Sequence, residues 1–239
     1  MLLPHPYTIF PLGDSALTID FGNIIDIEAN RKVLRLFHHL KSLDIPGVID
    51  IIPAYSSLTI YYDPVALFPD EEDRTAFDVI AELIETLTME QAVDAFQPPR
   101  TLSVPVCYAP AFSTDMEEIG LRNGISREEI IRLHTGKTNR IYMIGFLPGF
   151  AYMGQVDPKL VIPRKTEPVQ VVAGSVGIAG IQTGIYPFDS PGGWQIIGRT
   201  PLPLFQNNEN EPVLFQPGDM INFYSITEDE FADYQSRRM

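Results

Sequence analysis

The chain has 239 residues, 45% of them hydrophobic, with a formal net charge of -14 and an isoelectric point near 4.6. That length and apolar content allow a real hydrophobic core, in one large or two small domains. An acidic balance without a basic stripe excludes nucleic acid as a partner, because neutralising phosphates takes clustered Lys and Arg. No apolar run approaches the ~18 residues of a membrane span, so no membrane partner is expected. Cys107 is the single cysteine; it allows no intrachain disulfide and reads as a buried, inert thiol. The opening Met-Leu-Leu-Pro-His-Pro has neither a basic nor an apolar leader region, which makes the expectation cytoplasmic.

In chain order, Tyr7–Phe10 and Ala16–Phe21 read as strands joined through Pro11-Leu12-Gly13-Asp14, a turn sequence. Between Asp26 and Leu43, Val33, Leu36, Phe37, Leu40 and Leu43 recur at helical spacing, giving an amphipathic helix. Val48–Ile52 and Leu58–Tyr62 are β-rich runs. Phe77, Ile80, Ala81, Ile84 and Leu87 predict a second helix, with acidic residues 70–73 ahead of its N-terminus. Strands alternating with helices over this length predict a small α+β sandwich. The pattern then stops, and Gln97-Pro98-Pro99-Arg100 reads as a stiff connector. The expected boundaries are 1–93 for the N-terminal domain, 94–100 for the linker and 101–239 for the second domain.

Leu102–Cys107 alternates like a strand, and Pro105 inside it predicts an edge position. Capping boxes at Thr114/Glu117 and Ser126/Glu129 predict two short helices, and Thr227/Glu230 a terminal one. After Arg140 the helical period is lost. Ile141–Ile144, Val169–Ala173, Val176–Ile181, Gln195–Arg199, Val213–Phe215 and Asp219–Tyr224 all read as short strands, with Gln216-Pro217-Gly218-Asp219 as a type II turn. Short strands separated by Gly and Pro turns predict a barrel or sandwich.

Within this second domain, residues 144–203 hold ten of the 17 glycines and eight of the 21 prolines. From Val171 through Gly198 the only charged side chain is Asp189, while Ser175, Gln182, Thr183, Tyr186 and Trp194 supply uncharged polar groups. That composition belongs to a largely apolar pocket with a few placed polar groups. Arg164 and Arg199 bracket the stretch, and a guanidinium at such a mouth suits a carboxylate or phosphate. Phe146, Phe150, Tyr152, Tyr186 and Trp194 serve equally as core or as pocket wall, with the wall favoured for Tyr and Trp in Gly-rich turns.

Other motifs fail on context. Gly136-Lys137-Thr138 ends like a phosphate-binding loop, but Ile131 stands where its first Gly belongs and a strand follows, so a turn is expected. Ala173-Gly174-Ser175-Val176-Gly177 resembles a nucleophile elbow but passes into a strand instead of a helix. His5, His38, His39 and His134 form no ligand spacing, and no metal site is expected. His134, near the end of a helix, reads as a capping or packing residue.

Gly145-Phe146-Leu147-Pro148-Gly149-Phe150-Ala151-Tyr152-Met153-Gly154, Pro163-Arg164, Ala173-Gly174-Ser175-Val176, Ala179 to Pro187, Ser190 to Trp194 and Gly198-Arg199-Thr200-Pro201 together resemble the family of the bacterial 5-oxoprolinase B subunit, also known as allophanate hydrolase subunit 1 and as a sporulation-kinase inhibitor. Pro11 to Ala16 and Pro217-Gly218-Asp219 extend the likeness over nearly the whole chain. The resemblance implies an N-terminal α+β domain followed by a cyclophilin-like β-barrel. It implies one component of an ATP-dependent hydrolase that opens 5-oxo-L-proline to L-glutamate, working with a homologous C subunit and a separate A subunit. The nucleotide would then lie mainly on a partner, and the isolated chain would be inactive. On this reading Arg164, Gln182 and Arg199 are the catalytic candidates, around one cavity. Phe150, Ser175, Thr183, Tyr186 and Trp194 are the substrate-binding ones. Two alternatives follow from the same resemblance: docking on a sensor histidine kinase, and a biotin-dependent urea or allophanate-type carboxyltransferase module. The chain departs from the family's pattern at Glu167-Pro168, where a second Pro-Arg is frequent, and at Val172, where Pro is.

Overall fold

The computed structural model describes residues 7–67, 73–86, 99–207 and 212–237. The chain divides into two compact units, residues 1–98 and 99–239. The acidic run at 70–72, Leu87 and linker positions 94–98 lie outside the described residues.

In the first unit, β1 (Thr8–Pro11), β2 (Ala16–Asp20), β3 (Val48–Pro53) and β4 (Ser57–Tyr62) form an antiparallel sheet in the order β1-β2-β4-β3. Helix α1 (Ile27–Ser42) starts where the Asp26 carboxylate accepts the Ala29 N–H at 2.9 Å, which satisfies one of the free N–H groups of its first turn. Period-two alternation puts Leu17, Ile19, Leu58 and Ile60 on one face of the sheet. They bury there against Val33, Leu36 and Leu40 of α1 and Ile80 and Ile84 of α2 (Ala76–Thr86).

The second unit is built on a closed barrel in the order β10-β7-β6-β13-β5-β12-β9. Its strands are β5 (Thr101–Cys107), β6 (Thr138–Ile144), β7 (Ala151–Gly154), β9 (Ser175–Ala179), β10 (Gln182–Ile185), β12 (Gln195–Arg199) and β13 (Met220–Ile226). The β5/β13 pair is parallel and the others are antiparallel. Helices α3 (Met116–Asn123) and α4 (Arg127–Thr135) connect β5 to β6, and α5 (Glu228–Ser236) follows β13. Apolar side chains from every barrel strand meet in one core, with Val106, Ile141, Met153, Ile178, Ile185, Ile197 and Phe223 among them. A small two-stranded arm, β8 (Val169–Val171) with β11 (Ser190–Gly192), completes the unit.

The expected α+β architecture with a barrel is what the chain adopts, and the structure corrects several local readings. Strand β5 lies between β13 and β12 in the closed barrel. Pro105 is tolerated there because β12 pairs with β5 only at Arg199–Cys107, leaving one side of β5 unladdered upstream. Asp115, not Thr114, precedes α3 as its cap. Gly180-Ile181 is not strand but the two-residue loop of the β9–β10 hairpin, with Gly180 at φ +58°, as a glycine-first hairpin turn requires. Val213 makes an isolated bridge to Phe205 instead of a strand, while β7, β10 and β11 were unforeseen. Ser126 caps α4, Thr227 and Glu230 form the full capping box of α5, and Cys107 is buried. Asp219 N–H donates to Gln216 O at 3.1 Å with Gly218 at φ +97°, the geometry expected of that turn.

Candidate functional site

A cleft of about 670 Å³ opens on the barrel unit. Its walls come from four places. Phe146, Phe150 and Tyr152 lie at the β6–β7 connection and on β7; Ala179, Gly180 and Gln182 form the β9–β10 hairpin; Pro163, Arg164 and Pro168 belong to the loop before β8; and Tyr186, Pro191, Gly192, Gly193 and Trp194 bound the arm and the entry to β12.

Its floor is aromatic. Phe150 lies edge-on to Tyr186 and Trp194, with ring centroids 5.1 and 5.4 Å away, and 4.7 Å from Tyr152. Such edge-to-face contacts fix ring orientation and add to the burial energy. Glycine makes the packing feasible: a Cβ on Gly192 would fall 2.5 Å from Tyr186 Oη, and one on Gly184 2.9 Å from Trp194 Cζ3. At the mouth, Phe146 is 65% exposed and holds φ +67°, with the Leu147 N–H donating to Gly145 O at 2.8 Å across it. This γ-turn is costly for a residue with a side chain, and it sets the ring edge-on to Phe150 at 5.8 Å.

Arg164 is the only charged side chain among the lining residues, and no hydrogen bond or ion pair within the described residues engages its guanidinium. An exposed cation at the rim of an apolar cleft, without an acceptor among the described residues, suits an anion. Burial raises the pKa of the Tyr152 and Tyr186 phenols. The Arg164 charge works against that at both, as does a backbone hydrogen bond with Trp194 at Tyr186. Both therefore stand in the cleft as neutral O–H groups at pH 7.

The structure thus gathers Arg164, Gln182, Phe150, Tyr186 and Trp194 around one cavity. Three other candidates lie elsewhere. Arg199 Nε donates to Ala173 O at 2.8 Å, and its guanidinium lies over the Phe231 ring of α5 at 5.8 Å. A two-guanidinium clamp is therefore not formed. Ser175 is buried in the β9 ladder opposite Arg199.

Thr183 is fully buried and belongs to a string of polar side chains inside the barrel. Its Oγ1 donates to Gly177 O at 3.0 Å, so His134 Nε2 at 3.0 Å must donate to it, and His134 Nδ1 accepts from Tyr108 Oη at 2.8 Å. That sequence of donors fixes a neutral imidazole. Burial alone lowers the His134 pKa to about 3, and Phe223 stacks on the ring at 4.5 Å. Every polar side-chain atom of the string is satisfied, which marks it as structural.

Spacing alone could not have found Asp115. It accepts the Lys165 ammonium at 2.7 Å from far upstream in the sequence. Tyr152 and Phe146 were visible as aromatic candidates but not separable from core residues. Pro168, in the stretch that departs from the family's second Pro-Arg, lines the cleft.

Known proteins share this architecture. Residues 7–215 match the family described as carboxyltransferase domain, subdomain C and D. The chain is 40% identical over 232 residues to the 5-oxoprolinase B subunit of Bacillus subtilis (strain 168), covering 96% of this chain and 97% of that protein. Among solved structures, it is similar to TTHA0988 with a TM-score of 0.76 at 33% identity, covering 88% of this chain and 40% of that one. The conserved uncharacterized protein PH0987 from Pyrococcus horikoshii is 38% identical with a TM-score of 0.54, over 94% of this chain and 100% of that one.

Proposed function

Because this chain belongs to the family of the carboxyltransferase domain, subdomain C and D, we infer that it is the B subunit of a 5-oxoprolinase, the name carried by a relative that matches it over nearly its whole length. It is then one part of a multi-subunit hydrolase that opens the cyclic amide 5-oxo-L-proline to L-glutamate with ATP hydrolysis. The observation that carries the assignment to the cleft is Arg164, a guanidinium without a protein acceptor among the described residues, in an otherwise uncharged, aromatic cavity. A small ring bearing one carboxylate and one amide is the complement of that lining: charge to Arg164, amide to Gln182, ring faces to Tyr152, Tyr186 and Trp194.

A lactam resists water because its carbonyl carbon is a poor electrophile and its nitrogen a poor leaving group. Phosphorylation at the carbonyl oxygen answers the first difficulty, and ATP is the phosphoryl donor. This chain's part is to hold and orient. Arg164 neutralises the substrate carboxylate or a transferring phosphoryl group, Gln182 pairs with the lactam edge, and the neutral phenols of Tyr152 and Tyr186 donate to oxygen. With Arg199 engaged elsewhere, a second cation for phosphoryl transfer has to come from a partner. On this reading the nucleotide lies mainly on the homologous C subunit or on the A subunit, and the isolated chain is inactive. The test is Arg164→Ala in the complex reconstituted with the A and C subunits: glutamate release should fall at least ~10²-fold, the scale of losing a preorganised charge partner. Unchanged turnover overturns the assignment.

A further inference from the structure

We propose that the Asp115–Lys165 ion pair positions Arg164 over the cleft, making both members positioning residues for substrate capture; this rests on the role given to Arg164 above. Arg164 sits between the last turn before Val161 and the start of β8, in a segment with no ladder of its own. A free arginine on such a segment would sample many rotamers, and capture would have to order both loop and side chain.

The loop is instead fastened on both sides of Arg164. Upstream, Gly180 N–H donates to Ile162 O at 2.7 Å, and Gln195 Nε2 donates to Pro163 O at 3.3 Å. Downstream, Lys165 N–H donates to Gly193 O at 2.7 Å, and the Lys165 ammonium reaches Asp115 Oδ2 at 2.7 Å. Asp115 is itself locked to β12: its Oδ2 accepts the Ile196 N–H at 2.7 Å and its N–H donates to Ile196 O at 3.0 Å. The pair thus ties the Arg164 loop to the beginning of α3 and to β12 together. It is also sheltered, with side-chain exposures of 18% for Lys165 and 16% for Asp115, so solvent screens it little.

Two consequences bear on Arg164. First, its guanidinium is laid along Gly193, where a Cβ would stand 3.5 Å from both Nε and Nη2, so the loop's docking sets the cation's place in the cleft. Second, Lys165 occupies the Asp115 carboxylate, and no carboxylate among the described residues pairs with Arg164, so its charge is open to an external anion. Adjacent basic residues here have divided tasks, Lys165 to the scaffold and Arg164 to the ligand.

Steady-state kinetics on the reconstituted complex with 5-oxo-L-proline, alongside thermal unfolding of each variant, tests this. Removing one member strands a sheltered charge and destabilises for that reason alone, so the deciding variant is the double Asp115→Asn/Lys165→Met. It is neutral and keeps an oxygen for the Ile196 N–H. The expectation is a KM for 5-oxo-L-proline raised about tenfold or more with kcat within about twofold, an unfolding midpoint close to wild type, and recovery of KM in Lys165→Arg. If the double variant keeps the wild-type KM while Arg164→Ala loses it, the inference is overturned and the reading of Arg164 stands. If Arg164→Ala itself keeps the wild-type KM, that reading fails and takes the inference with it.

Discussion

Gln182 and Thr183 are neighbours on β10 and face opposite ways. Gln182 lines the cleft along with a guanidinium that has no acceptor among the described residues, whereas Thr183 closes a buried string from Tyr108 through His134 to Gly177 O in which every donor has an acceptor. The difference separates two uses of polar side chains in one barrel. A polar group buried among internal partners holds strands together; one that lines a surface cavity can meet a ligand. Perturbing the inner face should therefore change stability and leave capture alone, and perturbing the outer face should do the reverse.

The largest effect expected on the inner face is that of His134→Leu, which strands the Tyr108 hydroxyl and alters the Thr183 pairing. Each buried polar group left unsatisfied costs about 1–3 kcal/mol. A loss of at least ~2 kcal/mol should appear in urea unfolding of the chain, with little change in KM for the folded complex. Slightly smaller is a pH effect. His134 is depressed to about 3 in the folded chain and returns to the usual ~6.5 when unfolded. The unfolded state thus binds the extra proton between those values, so this contribution is complete above ~6.5 and declines as pH falls toward 3. From pH 7 to 5 the loss due to His134 should be about 2 kcal/mol, and it should be absent in His134→Leu.

On the outer face, Gly192→Ala places a methyl against Tyr186 Oη. It should raise KM for 5-oxo-L-proline about tenfold by tilting the phenol, with a smaller change in unfolding midpoint. The smallest effect is reserved for Arg199→Ala. Its guanidinium serves Ala173 O and the Phe231 ring, so KM should stay within about threefold while stability falls by about 1 kcal/mol. A large KM change in that variant would erase the distinction between the two faces.

Much of the fold was legible because local rules agree with it. Ser126 and Thr227 cap the helices that their spacing predicts, and apolar periodicity marks α1 and α2. The cleft was legible in part: low charge and clustered Gly, Pro and aromatics point to the right segment, and Arg164, Gln182, Tyr186 and Trp194 do meet there. Arg199 was misplaced for a definable reason. It was placed by closing a low-charge stretch, and proximity in sequence does not set where a side chain points: its guanidinium is taken up by Ala173 O and the Phe231 ring. Thr183 was misplaced because taking Gly180-Ile181 as strand hides the hairpin; once β10 starts at Gln182, alternation separates the two residues. The Asp115–Lys165 pair had no local signal, since a long-range contact between lone charges leaves no period in a sequence.

The measurement closest to the central claim is a crystal structure of the chain, in its complex, with 5-oxo-L-proline bound. The account predicts the substrate carboxylate within ~3 Å of the Arg164 guanidinium, the lactam edge at Gln182, and Arg199 still on Ala173. A ligand seated elsewhere, with Arg164 turned to solvent, would contradict it.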